Sequence, residues 1–559
     1  EGLFYVLSRR LLVLTAPQPL PLLTSNMITK LTTFPSRLSL IAILVGLTAA
    51  PLHAATAPVG VVAGSWQTAP GTGYNYNWVG QPRGGQLTDD GIVSFVGNLG
   101  GLSAQGLWSG TPGAMSAIAL PGQPAPGYTN STYYGTFFDI QRLDKGQYLF
   151  GGSVTSTGQA LWKGTAGSLT RILKKGDAVV PGSTSTFGPI DFVTNHGSNA
   201  SDGSSLAWWG PVGNKSSIVI GTPGNYRIAQ TTNDQFFSNG WQTMNQLYTP
   251  SVSKAGNAVF KADYTQSNQS KSMLRIANMT ATSSLAQEGD SVPGMTGFTW
   301  GSNFSSPVIN DAGQVLFRGS AQRNFPYDFR SGFWLSNAAR TAYTSFARGE
   351  QAPGMATGVV LSSGNDYRLN NDGEVAFISR LSGSGVTWDV NDISIWAGAP
   401  TALQMAMRLG DVAPGTGGAS FASLSWQYGI QQYTNAYQLN DDGQVAFFAQ
   451  LKGTGVNTSN DIGLWLFDPT AKNSLLIARE GEQIDIGNGS FKTISELYSP
   501  YRSDAFNNLG QISFGAKFTD GSQAILLSNV VAVPVPEPES WAMLLAGLGL
   551  ISFAARRRT

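Results

Sequence analysis

The chain has no cysteine, and that absence removes disulfides, thiolate metal sites and a cysteine nucleophile at once. A body this long can bury a large core, so the lack of disulfides does not argue against export. Charge is also scarce. Charged residues make up 12% of the chain, well under the usual quarter. Lys+Arg 34 stand against Asp+Glu 33 with no basic stripe, which argues against a nucleic-acid partner. The body carries one histidine, His196, set among Asn195, Gly197 and Ser198 in what reads as a loop. Multi-histidine zinc sites and Cys–His pairs are therefore excluded, and a Ser–His–Asp triad would have to use that one residue. No G-x-S-x-G elbow and no G-x-x-x-x-G-K-[ST] loop occurs. Paired carboxylates need only Asp and Glu, so a glycosidase or lyase stays open as a class. No long 3.6-period helix interrupts the body.

What the chain has in abundance is glycine, 68 residues, and aromatics, 11%. They fall in a repeat that is clearest at Leu439–Leu451, LNDDGQVAFFAQL. A polar turn ends in Gly443, and an extended run comes after it in which Val445 and Phe447 share a face. The turn glycines are Gly91, Gly146, Gly203, Gly256, Gly313, Gly373, Gly443 and Gly510, with successive gaps of 55, 57, 53, 57, 60, 70 and 67. Asn and Asp before each glycine suit a left-handed hairpin turn. The Asp-rich copies invite a calcium reading, but the full EF-hand spacing is missing, so calcium is only a secondary expectation.

A second motif, G-[DE]-x-x-P-G, keeps step with the first. It carries Asp177, Asp290, Glu350, Asp411 and Glu482 directly after its glycine. A decayed copy is expected near Thr232, in RIAQTTND. Between the motifs lies a strand that often ends in tryptophan: Trp108, Trp162, Trp334, Trp396, Trp465. Recurrence at one strand position marks these as packing residues, whereas alternation sends one of Trp208 and Trp209 outward. Four short strands in about 60 residues, repeated, predict an all-β propeller of about eight four-stranded blades over residues 59–528. The worn copy at Gly203 leaves seven blades open. The last copy lacks a fourth strand, which VGVVAGSW at 59–66 can supply, closing the ring without a free edge. The G-[DE]-x-x-P-G connections are expected on one face near the channel. Their five acids form a candidate binding face for a cation or glycan, unless each simply caps its own turn.

The two ends carry addresses. Residues 1–26 read as an upstream extension. Met27, basic Lys30 and Arg37, the apolar Leu38–Ala50 and the small Ala54 and Ala55 make a signal peptide over 27–55. At the other end a Pro-rich linker, 529–540, holds Pro536, Glu537 and Pro538. An apolar stretch, Trp541–Ala555, comes next, and Arg556, Arg557 and Arg558 close the chain's 541–559 segment. As a helix, Trp541–Ala555 spans only about 22 Å, short of a hydrocarbon core of about 30 Å.

This three-part tail resembles the PEP-CTERM sorting signal of Gram-negative bacteria. The resemblance implies cleavage by an exosortase after transient insertion of the helix, and delivery to the cell surface or its exopolysaccharide matrix. The glycine turns resemble a family of bacterial surface proteins with tandem NxxGxxxF repeats and varied (choice-of-anchor) C-terminal anchors. That likeness implies surface display and brings no catalytic residues. The expectation is an exported, non-catalytic propeller, structural, adhesive or ligand-binding, with a secreted carbohydrate-active enzyme as the alternative.

Overall fold

The computed structural model describes most of residues 59–528; residues 1–58, 188–204, 425–435, 529–559 and several short loops lie outside the described residues. The chain divides into Glu1–Ala55 and Thr56–Thr559, and everything described belongs to the second unit. The upstream extension, the signal peptide, the PEP segment, the sorting helix and His196 all lie outside the described residues.

The protein is an eight-bladed β-propeller, with no helix among the described residues. Blade 6 shows the plan. Its inner strand comes in two pieces, Val360–Ser363 and Tyr367–Leu369, both paired with Val375–Ser382. Ile393–Gly398 and then Gln404–Arg408 lie further outward, each antiparallel to the last. The second inner piece of one blade touches its counterpart in the next (Val308–Ile309, Tyr367–Leu369, Tyr437–Leu439), which places these pieces at the axis. Blade 3 has three described strands, Leu206–Val212, Lys215–Thr222 and Asn225–Thr231, plus a bridge from Phe187 to Val212 on the inner side. Blade 8 is completed from the other end of the chain. Val59–Gly64 pairs antiparallel with Gln523–Ser528, Val59 opposite Ser528, in the place expected for it.

Strands with small and apolar side chains on both faces form here because each blade is covered by two neighbours. In Val445–Lys452 every residue from Val445 to Ala449 is buried. Val445 and Phe447 pack toward blade 6, Ala446 and Phe448 toward blade 8. Eight apolar clusters result among the described residues, one for each junction between neighbours. The cluster at the closure joins Val62, Ile525 and Leu527 of blade 8 to Tyr76, Phe95 and Trp108 of blade 1. The recurring tryptophans are fully buried, as their spacing implies, and Phe447 stacks on Trp465 with ring centroids 5.8 Å apart. The indole N–H groups of Trp108, Trp162 and Trp465 donate to the carbonyls of Pro70, Pro126 and Pro414, at 3.1, 3.1 and 3.0 Å. In these three blades the bond ties the tryptophan strand to the P-G motif; Trp334 and Trp396 donate instead to the Gly319 carbonyl and to Ser394 Oγ, at 3.1 and 2.8 Å.

The N-x-x-G turns of blades 5 to 8 are joined to one another and, across the closure, to the turn of blade 1. Asn440 Oδ1 accepts from the Gln444 N–H of its own turn at 2.9 Å, and Asn440 Nδ2 donates to the Asn507 carbonyl of the next blade at 3.0 Å. Asn310 donates to the Asn370 carbonyl, Asn370 to Asn440, and Asn507 to Thr88 across the closure, at 3.0, 3.1 and 3.0 Å. The next residue adds a second rung: the backbone N–H groups of Asp311, Asn371, Asp441 and Asn508 donate to the side chains of Asn371, Asp441, Asn508 and Asp89. The described turn glycines all adopt positive φ, which is what the turn requires of them. Gly443 sits at φ 73°, and a Cβ there would lie 2.5 Å from Glu374 Oε2 of the preceding blade.

Candidate binding face

Antiparallel pairing gives the ring two distinct ends. Inner strands run away from the G-[DE]-x-x-P-G connections and toward the N-x-x-G turns. The turn end therefore holds the Asn-linked turns and the loops between third and outer strands. The connection end holds the G-[DE]-x-x-P-G segments and the loops between second and third strands. Val59 begins an outer strand and Ser528 ends a third strand, so the chain enters and leaves the ring at the turn end.

The connection motif is a small hairpin folded onto the start of the inner strand. Gly289 N–H donates to the Trp300 carbonyl and Trp300 N–H to that of Asp290, both at 2.8 Å. The same pair of bonds joins Gly349, Glu350 and Leu361, Gly410, Asp411 and Phe421, and Gly481, Glu482 and Ile494. Asn233 and Asp234 make it with Met244, so the decayed copy lies where the sequence placed it; Asn233 adopts the left-handed φ of 65°. One copy escapes the sequence reading: Trp66–Gly71, where Tyr76 N–H donates to the Gln67 carbonyl. Its Ala-Pro-Gly ending was the available signal.

All five candidate acids occupy this end, and two of them, Asp177 and Glu350, turn their side chains back to local backbone. Asp177 Oδ2 accepts from Lys174 N–H at 2.9 Å, and Glu350 Oε2 from Ala347 N–H at 3.3 Å. Gln67 and Gln123 do the same with Gly64 and Leu120, at 2.7 and 3.0 Å. A neutral amide thus fills the role equally well, which identifies it as capping. Asp177, Asp290 and Glu482 are half-buried; Glu350 and Asp411 are exposed. Burial pushes the carboxyls of Asp290 and Asp411 above their usual range, with Arg408 opposing the shift at Asp411. Among the described residues no group of three or more His, Asp or Glu side chains is placed to hold a metal.

What distinguishes the connection end is aromatic surface. Tyr134, Trp241 and Phe491 lie at the starts of inner strands there and Tyr74 just before one, and Phe325, Tyr327, Phe329 and Trp388 lie on or beside the loops after second strands. Every exposed aromatic among the described residues is at this end except Trp209, which is the outward member of its pair, 38% exposed against 8% for Trp208. Exposure reaches 70% at Trp241 and 92% at Phe325. The sequence did not reveal this set, because these residues belong to loops that differ from blade to blade.

Two carboxylates do meet beside an exposed aromatic. Asp389 and Asp392 both contact Nη1 of Arg380, the former at 2.9 Å, and the Arg380 Cζ lies 3.7 Å from the Trp388 ring centroid. Asp392, however, is 1% exposed, and its second oxygen accepts the Asp389 N–H at 2.8 Å. A carboxylate so enclosed is a brace for the loop and has no route to a substrate. Glu480 is a separate case. It is 6% exposed, accepts the Leu497 N–H at 3.1 Å, and is pushed up to about 7 by burial, with Asp461 adding to the effect.

An all-β eight-bladed propeller followed by a PEP-CTERM protein-sorting motif, matched over residues 534–558, defines the class: an exosortase-sorted, exported propeller whose precursor is membrane-anchored. Within it, the chain belongs to a family of unknown function, DUF7453, which matches residues 52–204 and 205–542. No curated protein matches the chain. Among solved structures, the polysaccharide lyase Uly1 is 11% identical, with a TM-score of 0.33 over 85% of this chain and 97% of its own. A polysaccharide lyase described as an ulvan lyase is 9% identical with a TM-score of 0.29, over 82% of this chain and 94% of its own. The Aleuria aurantia lectin, solved with a methyl fucoside, is 13% identical with a TM-score of 0.23, over 62% and 94%. These likenesses are too distant to bear on activity.

Proposed function

We propose that the protein is a non-catalytic, surface- or matrix-displayed propeller that binds extracellular polysaccharide through its connection end. The observation that carries this reading is the segregation of exposed aromatics to one end of the ring. Aromatic faces stack on sugar rings at small entropic cost, and isolated exposed rings rimmed by polar groups suit a hydrated chain better than a dry protein interface. Exposed Glu350 and Asp411 add acceptors for sugar hydroxyls on the same end. The chain's entry and exit at the opposite end argue against a lipid partner for the aromatics. A tail inserted in the membrane would hold the turn end toward the bilayer and direct the aromatics outward. The repeat's resemblance to surface-displayed proteins points the same way. In this reading Pro536, Glu537 and Pro538 are the exosortase recognition segment, and Arg556, Arg557 and Arg558 stop the helix on the cytoplasmic side.

The test is retention of the exported protein on exopolysaccharide from a producing strain. Joint replacement of Tyr134, Trp241, Trp388 and Phe491 by Ala is expected to abolish retention, whereas Trp209→Ala leaves it intact. Release of reducing ends or unsaturated sugars from that polysaccharide would overturn the non-catalytic reading. Mass spectrometry of the same preparation is expected to find a C-terminus near residues 536–539; recovery of Arg556–Arg558 would contradict exosortase processing.

A further inference from the structure

We propose that Trp388 and Asp389 form a discrete subsite for a neutral sugar ring, a proposal that rests on the glycan-binding reading of the connection end. They lie in the 383–392 loop of blade 6, between Val375–Ser382 and Ile393–Gly398. Arg380 covers one face of the Trp388 indole, its Cζ 3.7 Å from the ring centroid. The residue is nevertheless 69% exposed, so the opposite face is open. Arg380 is in turn held by Asp389 and by Asp392. The indole is therefore backed by a planar cation that two carboxylates fix in place. A platform ordered in advance loses little rotamer freedom when a ligand stacks on it.

The charge of the cluster selects the ligand. Arg380 is already paired with two carboxylates, and the loop's other guanidinium, Arg408, donates to the Asn391 carbonyl at 2.7 Å, so neither is set out as a cation for an acidic ligand. The side chain of Asp389 is 63% exposed and has acceptor capacity to spare for a hydroxyl pair. A uronate or sulfated sugar would meet the exposed Asp389 carboxylate first, while a neutral ring offers C–H groups to the indole and hydroxyls to Asp389.

Blade 7 supplies an internal control. Its 453–461 loop has the same frame: Asn460 Nδ2 donates to the Gly455 carbonyl at 3.0 Å as Asn391 does to Gly385 at 3.1 Å. Its buried Asp461 pairs with Gln450 at 2.7 Å where blade 6 has Arg380. The frame stands there with no aromatic at all. Trp388 is thus an addition to the loop rather than a condition for folding it.

The experiment is calorimetric titration of the exported protein with cellohexaose, mannohexaose and chitohexaose, and with polygalacturonate as the anionic probe. At least one neutral hexasaccharide is expected to bind. Trp388→Ala should weaken it about tenfold or more without moving the melting temperature. Trp388→Phe should restore most of the loss, and Asp389→Asn should weaken binding less than Trp388→Ala. Unchanged affinity in Trp388→Ala overturns the subsite, as does tighter binding of polygalacturonate than of every neutral probe. If the quadruple aromatic variant still loses the native exopolysaccharide in that case, the face survives and only the subsite falls. If the unaltered protein retains neither the native polysaccharide nor any oligosaccharide, both readings fall.

Discussion

At the scale of single residues, burial and local backbone decide what an acid does. Asp177 and Glu350 looked from the sequence like members of a ring with a common purpose. The fold shows each reaching back three residues to an N–H at the end of its own outer strand, a bond that Gln67 and Gln123 make as well. That geometry is local, and at these two acids it is the capped turn that Gly-Asp and Gly-Glu already suggest. Glu480 was not, because nothing in Arg-Glu-Gly-Glu announces that its first acid is enclosed. Its folded pKa of about 7 stands above the ordinary value of 4.5, so the native state binds more protons than the unfolded chain between those values. Stability is therefore greatest on the acid side of this window and falls as pH rises through it. Glu480→Gln keeps an acceptor for Leu497 N–H and cannot ionise. Relative to the unaltered protein, it should be more stable at pH 8, by about 2 kcal/mol and hence a few degrees in melting temperature, and no more stable near pH 4. Equal melting curves for the two proteins at pH 8 would contradict this account.

At the scale of elements, the N-x-x-G turn does more than reverse the chain. Its glycine and its Asn/Asp content gave away the hairpin. The donor on the first Asn was silent, because its partner lies about 60–70 residues on, in the next blade. The turns of blades 1 to 4 have Thr88, Leu143, Ala200 and Ser253 in place of that Asn, and blade 1 shows the consequence. Thr88 still offers its carbonyl to Asn507, but it has no amide to pass on to blade 2. There Arg142 reaches back instead, to Asp90 at 2.6 Å and to Thr88 Oγ1 at 3.2 Å; against the opposing effect of burial, hydrogen bonds from Thr88 and Arg142, with the Arg142 charge, hold Asp90 below the usual carboxylate range. The clasp predicts distinct outcomes for two close variants. Asn440 is 4% exposed. Asn440→Ala removes all three of its side-chain bonds, including that to Gln444 Oε1, and leaves the Gln444 N–H and the Asn507 carbonyl short of a partner, at a cost of about 2–3 kcal/mol. Asn440→Asp keeps the acceptor for Gln444 but sets a carboxylate against the Asn507 carbonyl. Its loss should shrink as pH falls and the side chain becomes a donor again. A melting series in pH separates the two, and an Asp variant whose deficit is pH-independent would refute the clasp.

At the scale of the whole molecule, repeat counting foresaw the ring, and the worn copy at Gly203 left its order between seven and eight. Blade 3 settles it, since Leu206–Val212, Lys215–Thr222 and Asn225–Thr231 stack as a blade although the motif has decayed. Packing against two neighbours preserves a strand after its turn signature has faded. The closure obeys the same logic. Without Val59–Gly64, the strand Gln523–Ser528 becomes an edge, and the Val62 side of the cluster with Tyr76 and Trp108 is lost. Deleting Val59–Gly64 should lower the melting temperature by several degrees or more and produce oligomers through the exposed edge. A synthetic peptide spanning Val59–Trp66 should restore both, because it can occupy the vacated edge in the native register. A scrambled peptide of the same composition should not, since the Val62 face would no longer meet the cluster. If the deletion melts like the intact protein, or if both peptides rescue it equally, the strand is an ornament on blade 8 and the ring closes without it.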